Sequence, residues 1–240
     1  MVRDYELMEL HVEALYTHDA TNQIVRVREH NGAPAPRFFL GRTVGGVVRR
    51  YRDDVDDTLR RGLEAASAEE HVFEPAADLA GAATAELARY AAILAQSAPV
   101  HGMEAGPAFS FPDRLSGPGG PYGAVALITT ANAHLLQPLL PAWLPDVQLS
   151  PPLMALVVDG RAAAVCGSVR ITARAHEAGV ETATSFRGRG YAPRVVEAWA
   201  KAVRALGAEP LYSTSWRNAA SRAVARKLAL VQFGSDLHLT

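Results

Sequence analysis

The stretch that decides the fold is SFRGRGYAPRVVEAWAKAVRALG, residues 185–207, in which two glycines alternate with arginines directly before an amphipathic pattern. Pro193 is acceptable in a first helical turn, because the N–H that it lacks would have no intrahelical partner there. Gly207 is a typical helix stop. The pattern therefore predicts a helix over 191–206, with one apolar face formed by Val195, Val196, Trp199, Val203 and Leu206.

The loop before this helix has the chemistry of an anion site. A helix N-terminus presents unpaired backbone N–H groups and the positive end of the helix dipole. Gly188 and Gly190 remove side chains that would block a close approach, and Arg187 and Arg189 add positive charge. The dipole contributes only about 0.3–1 kcal/mol at an exposed end, so the donors and the arginines must supply most of the affinity. The predicted ligand is a phosphate or pyrophosphate.

Two other phosphate-binding loops do not fit this stretch. A dinucleotide fingerprint needs G-x-G-x-x-G, whereas Gly190 is followed by Tyr191, Ala192 and Pro193. A P-loop needs G-K-[ST], which is absent here. For the loop taken alone, a tight turn without a ligand stays open as the alternative.

The residues after SGPGGPYG, at 116–123, predict a regular order of elements. Asp159-Gly160 is typical of a tight hairpin turn. Pro138 and Pro141 must break or kink the helix in which they lie. The predicted strands are 124–128, 153–160, 162–172, 175–184, 211–216 and 231–239, and the predicted helices are 131–144, 191–206 and 219–229.

The first half of the sequence predicts a meander of strands followed by two helices. HDATN, residues 18–22, is a plausible turn. The predicted strands are HVEALY (11–16), QIVRVREH (23–30), PRFFLG (36–41) and GGVVRRY (45–51), and the predicted helices are 54–66 and 77–96. We therefore expect two domains, 1–120 and 121–240. The first is either a degenerate relative of the second or an independent sheet that covers a substrate pocket.

A second signature accompanies the glycine loop. Arg187-Gly188-Arg189-Gly190-Tyr191-Ala192 matches R/Q-x-x-G-x-G/A, and Asn218-Ala-Ala-Ser221 follows at a strand-to-helix junction, with Lys227-Leu228 after it. With this order of elements, residues 121–240 resemble the GNAT superfamily, the acetyl-CoA-dependent N-acyltransferases. The resemblance is closest to the branch that includes the C-terminal domain of glycine N-acyltransferases. It implies an α+β fold with a mixed sheet, GNAT-like in the C-terminal half, and an N-terminal α+β extension.

The resemblance also implies a site for acetyl-CoA. Backbone N–H groups of residues 187–192 would hold the pyrophosphate, and the strand before the loop would pair with the pantetheine arm. The thioester would pass between strands that splay apart near Val180 and Leu211. Asn218 would lie beside the cofactor, and its alternative role as a helix N-cap is compatible with this. The predicted cofactor-binding residues are Thr182, Ala183, Thr184, Arg187, Gly188, Arg189, Gly190, Tyr191, Ala192, Asn218 and Ser221.

Acyl transfer to an amine needs a base, a donor to the thioester carbonyl and an acid for the departing thiolate. The resemblance places the base at His176 or Glu177, and Glu181 on the same strand is a third candidate; each could instead be an ordinary strand side chain. A backbone N–H of this strand would polarise the carbonyl. Many family members carry a tyrosine where this chain has Ala225, so the proton must come from Tyr212, Ser213 or water, or its transfer is unassisted.

The predicted function is transfer of an acetyl or short acyl group from acyl-CoA to a primary amine. The surface is not strongly charged, which favours a small molecule as the acceptor. The alternative is a non-catalytic CoA-binding sensor or interaction protein that kept the loop without the tyrosine. Release of free thiol from acetyl-CoA with a library of amines would support the enzyme, whereas CoA binding without turnover would favour the non-catalytic alternative.

Composition narrows the partners and the compartment. A net charge of -1 over 240 residues argues against nucleic acid, and no apolar run approaches membrane-spanning length. Cys166 is the single cysteine, which favours a cytoplasmic protein without disulfides. No metal is expected, because His176-Glu177 does not continue as H-E-x-x-H. A homodimer is left open as an alternative to a monomer.

Overall fold

The structure, a computed structural model, describes residues 2–30, 32–68, 70, 82–115 and 123–240. The chain forms two compact units that are discontinuous in sequence. Unit 1 comprises Met1–Phe109, Ser213–Asn218 and Gln232–Thr240, and unit 2 comprises Ser110–Tyr212 and Ala219–Val231. The predicted domains, 1–120 and 121–240, stay a prediction, while contacts group two C-terminal segments with the first half of the chain.

The helices and strands alternate along the chain in a mixed α+β order. In sequence they are α1 (Val2–Leu15), β1 (Tyr16–His18), β2 (Ile24–Val27), β3 (Phe38–Thr43), β4 (Gly46–Tyr51), α2 (Asp57–Ala66), α3 (Ala82–Leu94), β5 (Met103–Ser110), β6 (Ala124–Ile128), α4 (Asp146–Leu149), β7 (Leu153–Val158), β8 (Arg161–Ile171), β9 (Ala175–Thr182), α5 (Tyr191–Ala205), β10 (Glu209–Ser213), α6 (Ala219–Lys227) and β11 (Val231–Leu239). Short 3-10 helices lie at Ala133–Leu135, Pro141–Trp143 and Thr184–Phe186. Among the described residues, no helix combines the length and the apolarity needed to cross a membrane.

Four strands of unit 1 are neighbours in the order β4-β3-β11-β5, and β1 and β2 form a separate two-stranded antiparallel sheet. β11 pairs antiparallel with β3, from Gly234 opposite Thr43 to Leu239 opposite Phe38. The core on one face of this sheet joins strand residues to α2 and α3. Its largest members are Phe38, Leu40, Tyr51, Leu59, Leu63, Tyr90, Leu94, Leu237 and Leu239.

The prediction of a strand over 11–16 is wrong, because α1 continues to Leu15. The buried side chains of this segment recur with helical spacing rather than on alternate residues. They are Leu7, Met8, His11, Val12 and Leu15. Six residues that also alternate were too short a window to distinguish the two periods. The turn after β1 and the strands β2, β3 and β4 are confirmed within a few residues.

A buried polar chain connects α1 and β1 to β11 inside unit 1. His11 Nε2 is 2.6 Å from Asp236 Oδ2, and His238 Nε2 is 3.2 Å from the other carboxylate oxygen. Tyr16 in turn shares a hydrogen bond with His238 Nδ1. Burial alone would raise the pKa of Asp236, but His238 and the hydrogen bond with His11 hold it well below its ordinary value.

Unit 2 carries five strands in the order β10-β9-β8-β7-β6. Neighbours from β6 to β9 are antiparallel, whereas β9 and β10 run parallel, so the sheet is mixed. The predicted hairpin is confirmed: Asp159 has φ 48° and Gly160 has φ 69° between β7 and β8. Helix α5 is confirmed too, and it buries Trp199, although Leu206 just beyond it is 66% exposed rather than buried.

The predicted helix over 131–144 is wrong. This segment holds two short 3-10 helices, Ala133–Leu135 and Pro141–Trp143, with irregular chain between them. Proline lacks the N–H that continues a helix and clashes with the preceding turn, so no continuous helix runs through Pro138 and Pro141, and Pro141 instead begins the second 3-10 helix. Helix α3 is confirmed over 82–94, and residues 77–81 of that prediction lie outside the described part of the chain.

Candidate functional site

The glycine loop joins the end of β9 to the start of α5. Gly188 has φ 77° and Gly190 has φ 76°, a conformation that side chains with a Cβ rarely adopt. Apart from its chain neighbours, a Cβ at either position would meet no atom of the described residues within 4 Å. The backbone conformation therefore favours glycine here, and among the described residues the space above the loop is open. An anion could approach the main chain at these two positions, which is what a pyrophosphate needs.

The base of the loop is fixed by contacts within unit 2. The N–H of Ala183 donates to the carbonyl of Ala163 at 3.0 Å, and the buried rings of Phe186 and Tyr191 are 6.0 Å apart. Arg189 lies over the Phe186 ring at 5.2 Å, and its guanidinium donates to the Ser185 carbonyl at 3.2 Å. Arg187 and Arg189 remain exposed. The loop is anchored, and its positive charge faces solvent.

The first turn of α5 is left open to a ligand. Among the described residues, no side chain caps the helix at Gly190, and its first turn contains no acidic residue. Pro193 has no N–H to pair. A fifteen-residue helix thus presents the positive end of its dipole beside two exposed arginines.

Strands β9 and β10 pair over only part of their length. The parallel ladder joins Glu209 to Ala175, Pro210 to His176 and Leu211 to Glu177. Beyond this last pair, β9 continues to Thr182. Residues 178–182, the open stretch, therefore have backbone groups along the β10 side that the ladder does not use. This stretch leads directly to the glycine loop. Of the residues predicted to pair with the pantetheine arm, Thr182 ends β9, whereas Thr184 begins a 3-10 helix, and their role in binding stays a prediction.

The three candidate bases on β9 do not share one face of the sheet. His176 is 6% exposed, and its Nδ1 shares a hydrogen bond of 2.9 Å with Ser168 Oγ. The indole N–H of Trp199, on α5, donates to the same Ser168 oxygen at 3.0 Å. His176 thus faces α5, and burial lowers its pKa.

Glu177 and Glu181 lie on the opposite face, because side chains alternate along a strand. Glu177 is 1% exposed and has Arg170 as its cross-strand neighbour. Glu181 is exposed, and its Oε2 accepts a hydrogen bond of 2.7 Å from the indole N–H of Trp143. The structure brings these two carboxylates onto one face and separates them from His176.

The neighbourhood of α6 contains a hydroxyl pair. The phenol of Tyr212, on β10, is 2.6 Å from Ser221 Oγ, and burial, the largest influence, raises the pKa of Tyr212 to about 12. Ala225 is buried and brings no acid. Asn218 directly precedes α6, is exposed, and its backbone N–H donates to the Ser215 carbonyl at 3.0 Å. The roles predicted for Asn218 and Ser221 stay predictions.

Trp143 is the side chain near this site that the sequence analysis missed. Gly167 on β8 lies directly opposite Gly179 on β9. A Cβ on Gly167 would be 3.1 Å from the Trp143 ring, and one on Gly179 would be 3.2 Å from it. The two glycines make room for the indole on the sheet. Glycine in two adjacent strands was the available signal, since such positions often mark close approach of another group.

Part of the chain matches a known family model. Residues 163–233, under a third of the chain, match the family described as FR47-like protein. This match contains β9, the glycine loop, α5 and α6. Comparison with curated proteins finds no match. Within the described residues, no group of three or more His, Cys, Asp or Glu side chains could hold a metal ion.

Several solved structures are similar to this chain at low sequence identity. A GCN5-related N-acetyltransferase from Kribbella flavida is 16% identical, with 98% of this chain and 93% of that chain covered and a TM-score of 0.51. A GNAT-family acetyltransferase from Colwellia psychrerythraea is 12% identical, with 80% and 75% covered and a TM-score of 0.46. A protein assigned to the GNAT acetyltransferases of Novosphingobium aromaticivorans is 19% identical, with 58% of this chain and 65% of that chain, just under two thirds, covered and a TM-score of 0.47. The Kribbella likeness shows a common α+β fold.

Proposed function

We propose that this chain is an N-acyltransferase that moves an acetyl or short acyl group from acyl-CoA to the primary amine of a small molecule. The observation that carries the proposal is the open glycine loop at the uncapped start of α5, which continues the open stretch of β9. The resemblance to the branch that includes glycine N-acyltransferases concerns residues 121–240. From this branch we carry over the mode of cofactor binding and not the acceptor.

Acetyl-CoA fits the residues at this site. The N–H groups of residues 187–192 and the two exposed arginines suit a pyrophosphate, and the missing Cβ atoms leave room for its approach. The extended backbone of residues 178–182 offers hydrogen-bonding groups to the amide-containing pantetheine arm. When bound, acetyl-CoA supplies the thioester whose acyl carbon forms the new bond to nitrogen as the carbon–sulfur bond breaks.

Glu181 is the best-placed base among the three predicted candidates. It lies on the open stretch, it is exposed, and the indole of Trp143 fixes its carboxylate. A carboxylate there can hold the ammonium form of the acceptor and take its proton. His176 is buried in a network with Ser168 and Trp199, which favours a structural role. A backbone N–H of the open stretch would polarise the thioester carbonyl.

The departing thiolate has no tyrosine at position 225 to protonate it. Tyr212 stays protonated at neutral pH because its pKa is about 12, and its hydroxyl reaches Ser221 at the start of α6. These hydroxyls can donate a hydrogen bond but are weak acids. Proton delivery from water to the thiolate is therefore part of the proposal.

Turnover and binding test the proposal together. With acetyl-CoA and a panel of small primary amines, we expect release of free thiol and a CoA affinity measurable by calorimetry. Glu181→Gln should lower kcat by about 100-fold or more, within the range for a general base, and leave the CoA Kd unchanged. His176→Gln, with its unfolding free energy measured in parallel, is the control. A Glu181→Gln enzyme with full kcat would remove Glu181 from the mechanism.

A non-catalytic CoA-binding protein is the second candidate function, and the alanine at position 225 is the observation that favours it. CoA binding without thiol release across the amine panel would support this alternative. We further propose a cytoplasmic protein without nucleic acid or membrane partners, on the basis of its net charge of -1 and its single buried cysteine. Sedimentation would decide between a monomer and a homodimer.

A further inference from the structure

The indole of Trp143 and the carboxylate of Glu181 form a fixed and accessible pair. The indole N–H donates to Glu181 Oε2 at 2.7 Å. Among the described residues, Glu181 makes no other hydrogen bond or ion pair, so its Oε1 is available to a ligand. A carboxylate with one oxygen held by a neutral donor and the other open can accept a hydrogen bond from a cation without leaving its position.

The position of the indole is built into the sheet. Gly167 and Gly179 are direct partners on β8 and β9, and a Cβ on either would crowd the ring of Trp143. The side chains of Leu153 and Val169 line the same two glycines. The ring is half-buried, so part of its surface is accessible. An aromatic surface beside a carboxylate is suited to an apolar body that carries an ammonium group.

The chain segment that carries Trp143 brings no positive charge to this face. The sequence contains no Lys or Arg from residue 115 to residue 160. Its Asp146 accepts a hydrogen bond from Ser150 at 2.8 Å. On the sheet itself, Arg170 lies opposite Glu177 and already has an interaction partner. A ligand carboxylate placed beside Trp143 would lie near the carboxylate of Glu181, and residues 115–160 would offer it no Lys or Arg.

We infer that the Trp143–Glu181 pair is the acceptor site and that it selects amines without a carboxylate over amino acids. The ammonium group pairs with Glu181, and the apolar body lies against the accessible part of the Trp143 ring. This inference rests on the proposed acyl transfer and deepens it, because it names the class of acceptor. Amino acids, glycine included, are poor acceptors because Glu181 repels their carboxylate and the segment that carries Trp143 offers it no Lys or Arg.

Three matched amines test the selection. They are 2-phenylethylamine, phenylalanine and phenylalanine amide, which share a ring and a primary amine. Phenylalanine adds a carboxylate, its amide adds a neutral group of similar size, and 2-phenylethylamine has neither. We expect kcat/KM for 2-phenylethylamine and for the amide to exceed that for phenylalanine by tenfold or more. The amide separates the effect of charge from the effect of size. Equal kcat/KM values for the three amines would overturn the inference. It would also be overturned if a protein that binds CoA neither acetylated nor bound 2-phenylethylamine and phenylalanine amide.

Two variants locate the selection at this pair. Calorimetry with CoA-saturated protein should show that Glu181→Gln brings the Kd ratio of phenylalanine to 2-phenylethylamine close to one. Trp143→Phe keeps a ring and removes the N–H, so it should raise KM for 2-phenylethylamine severalfold and leave the CoA Kd unchanged. Glu64→Gln, at an exposed carboxylate of α2, is the matched control. An unchanged ratio in Glu181→Gln would place the acceptor elsewhere.

The outcomes separate this inference from the proposed function. A wild-type protein that does not bind CoA would contradict the proposed function itself. CoA binding and acyl transfer with a preference for phenylalanine would leave the proposed function standing and contradict the acceptor class. A merely structural role for Trp143 would lower the unfolding free energy without changing the ratio between the charged and uncharged acceptors.

Discussion

Helices α2 and α5 begin in opposite ways. At α2, Asp56 has φ -66° and ψ 160°, and its carboxylate accepts hydrogen bonds from the N–H groups of Thr58 and Leu59 at 2.8 and 2.9 Å. At α5, the residue in the same position is Gly190 with φ 76°, without a side-chain cap. Both helices bury an apolar face in their own unit.

The two helix starts differ in whether the chain itself supplies a partner for the first N–H groups. An N-terminal carboxylate satisfies the first N–H groups and the helix dipole from within the chain. Arginines before an uncapped start add positive charge to a positive dipole, which an external anion can balance. The start of α2 has its cap within the chain, whereas the start of α5 has the features expected of the phosphate site that we propose.

The largest effect is expected from Gly190→Glu, which would give the start of α5 a carboxylate, as the start of α2 has. The side chain would enter the space of the pyrophosphate and repel it. We expect calorimetry to show at least a 100-fold loss of CoA affinity. Gly207→Glu is the matched control, because Gly207 has φ 82° and equally open surroundings. Undiminished CoA binding by Gly190→Glu would remove the loop from the cofactor site.

A smaller effect is expected from replacing both Arg187 and Arg189 with Gln, which leaves the uncapped start but removes its charge. Charge-assisted hydrogen bonds from these side chains contribute to phosphate affinity. We expect the CoA Kd to rise about tenfold, equal to about 1.4 kcal/mol, and its dependence on salt to weaken. Arg61→Gln, at an exposed position on α2, should change neither the CoA Kd nor its salt dependence. A double variant with wild-type salt dependence would show that the backbone alone binds the anion.

The smallest effect is expected at α2, where Asp56→Ala removes the internal cap. Loss of such a cap lowers the free energy of unfolding by about 1 kcal/mol, which denaturant titration can measure. Because Asp56 belongs to the fold, the CoA Kd should stay the same. Asp56→Asn, which can still accept the two hydrogen bonds, should recover most of the stability. A change in CoA affinity in Asp56→Ala would contradict the division between the two helix starts.

Local signals predicted what lies close in sequence. The hairpin at Asp159-Gly160 and the amphipathic α5 each follow from a few adjacent residues, and both are found in the structure. The failures have physical reasons as well. α1 was taken for a strand at its end, because a helical and an alternating pattern agree over six residues.

Pairings between distant residues could not be predicted from the sequence. Trp143 and Glu181 are 38 positions apart, and nothing local indicates that the indole donates to this carboxylate. The same holds for His176, whose bond to Ser168 fixes its face of the sheet. The sequence therefore predicted a glycine loop before α5, and the family resemblance supplied three candidate bases, whereas tertiary structure was needed to separate those bases.

The place of β11 within unit 1 has a consequence for biosynthesis. β11 lies between β3 and β5, so the strand that completes this sheet is translated after both of its neighbours. Until it leaves the ribosome, the β3 edge that Leu237 and Leu239 later cover has no partner strand. Through most of translation, nascent chains of this protein would thus expose an unpaired strand edge. Such an edge can pair with other chains, and chaperones protect nascent proteins from this kind of aggregation.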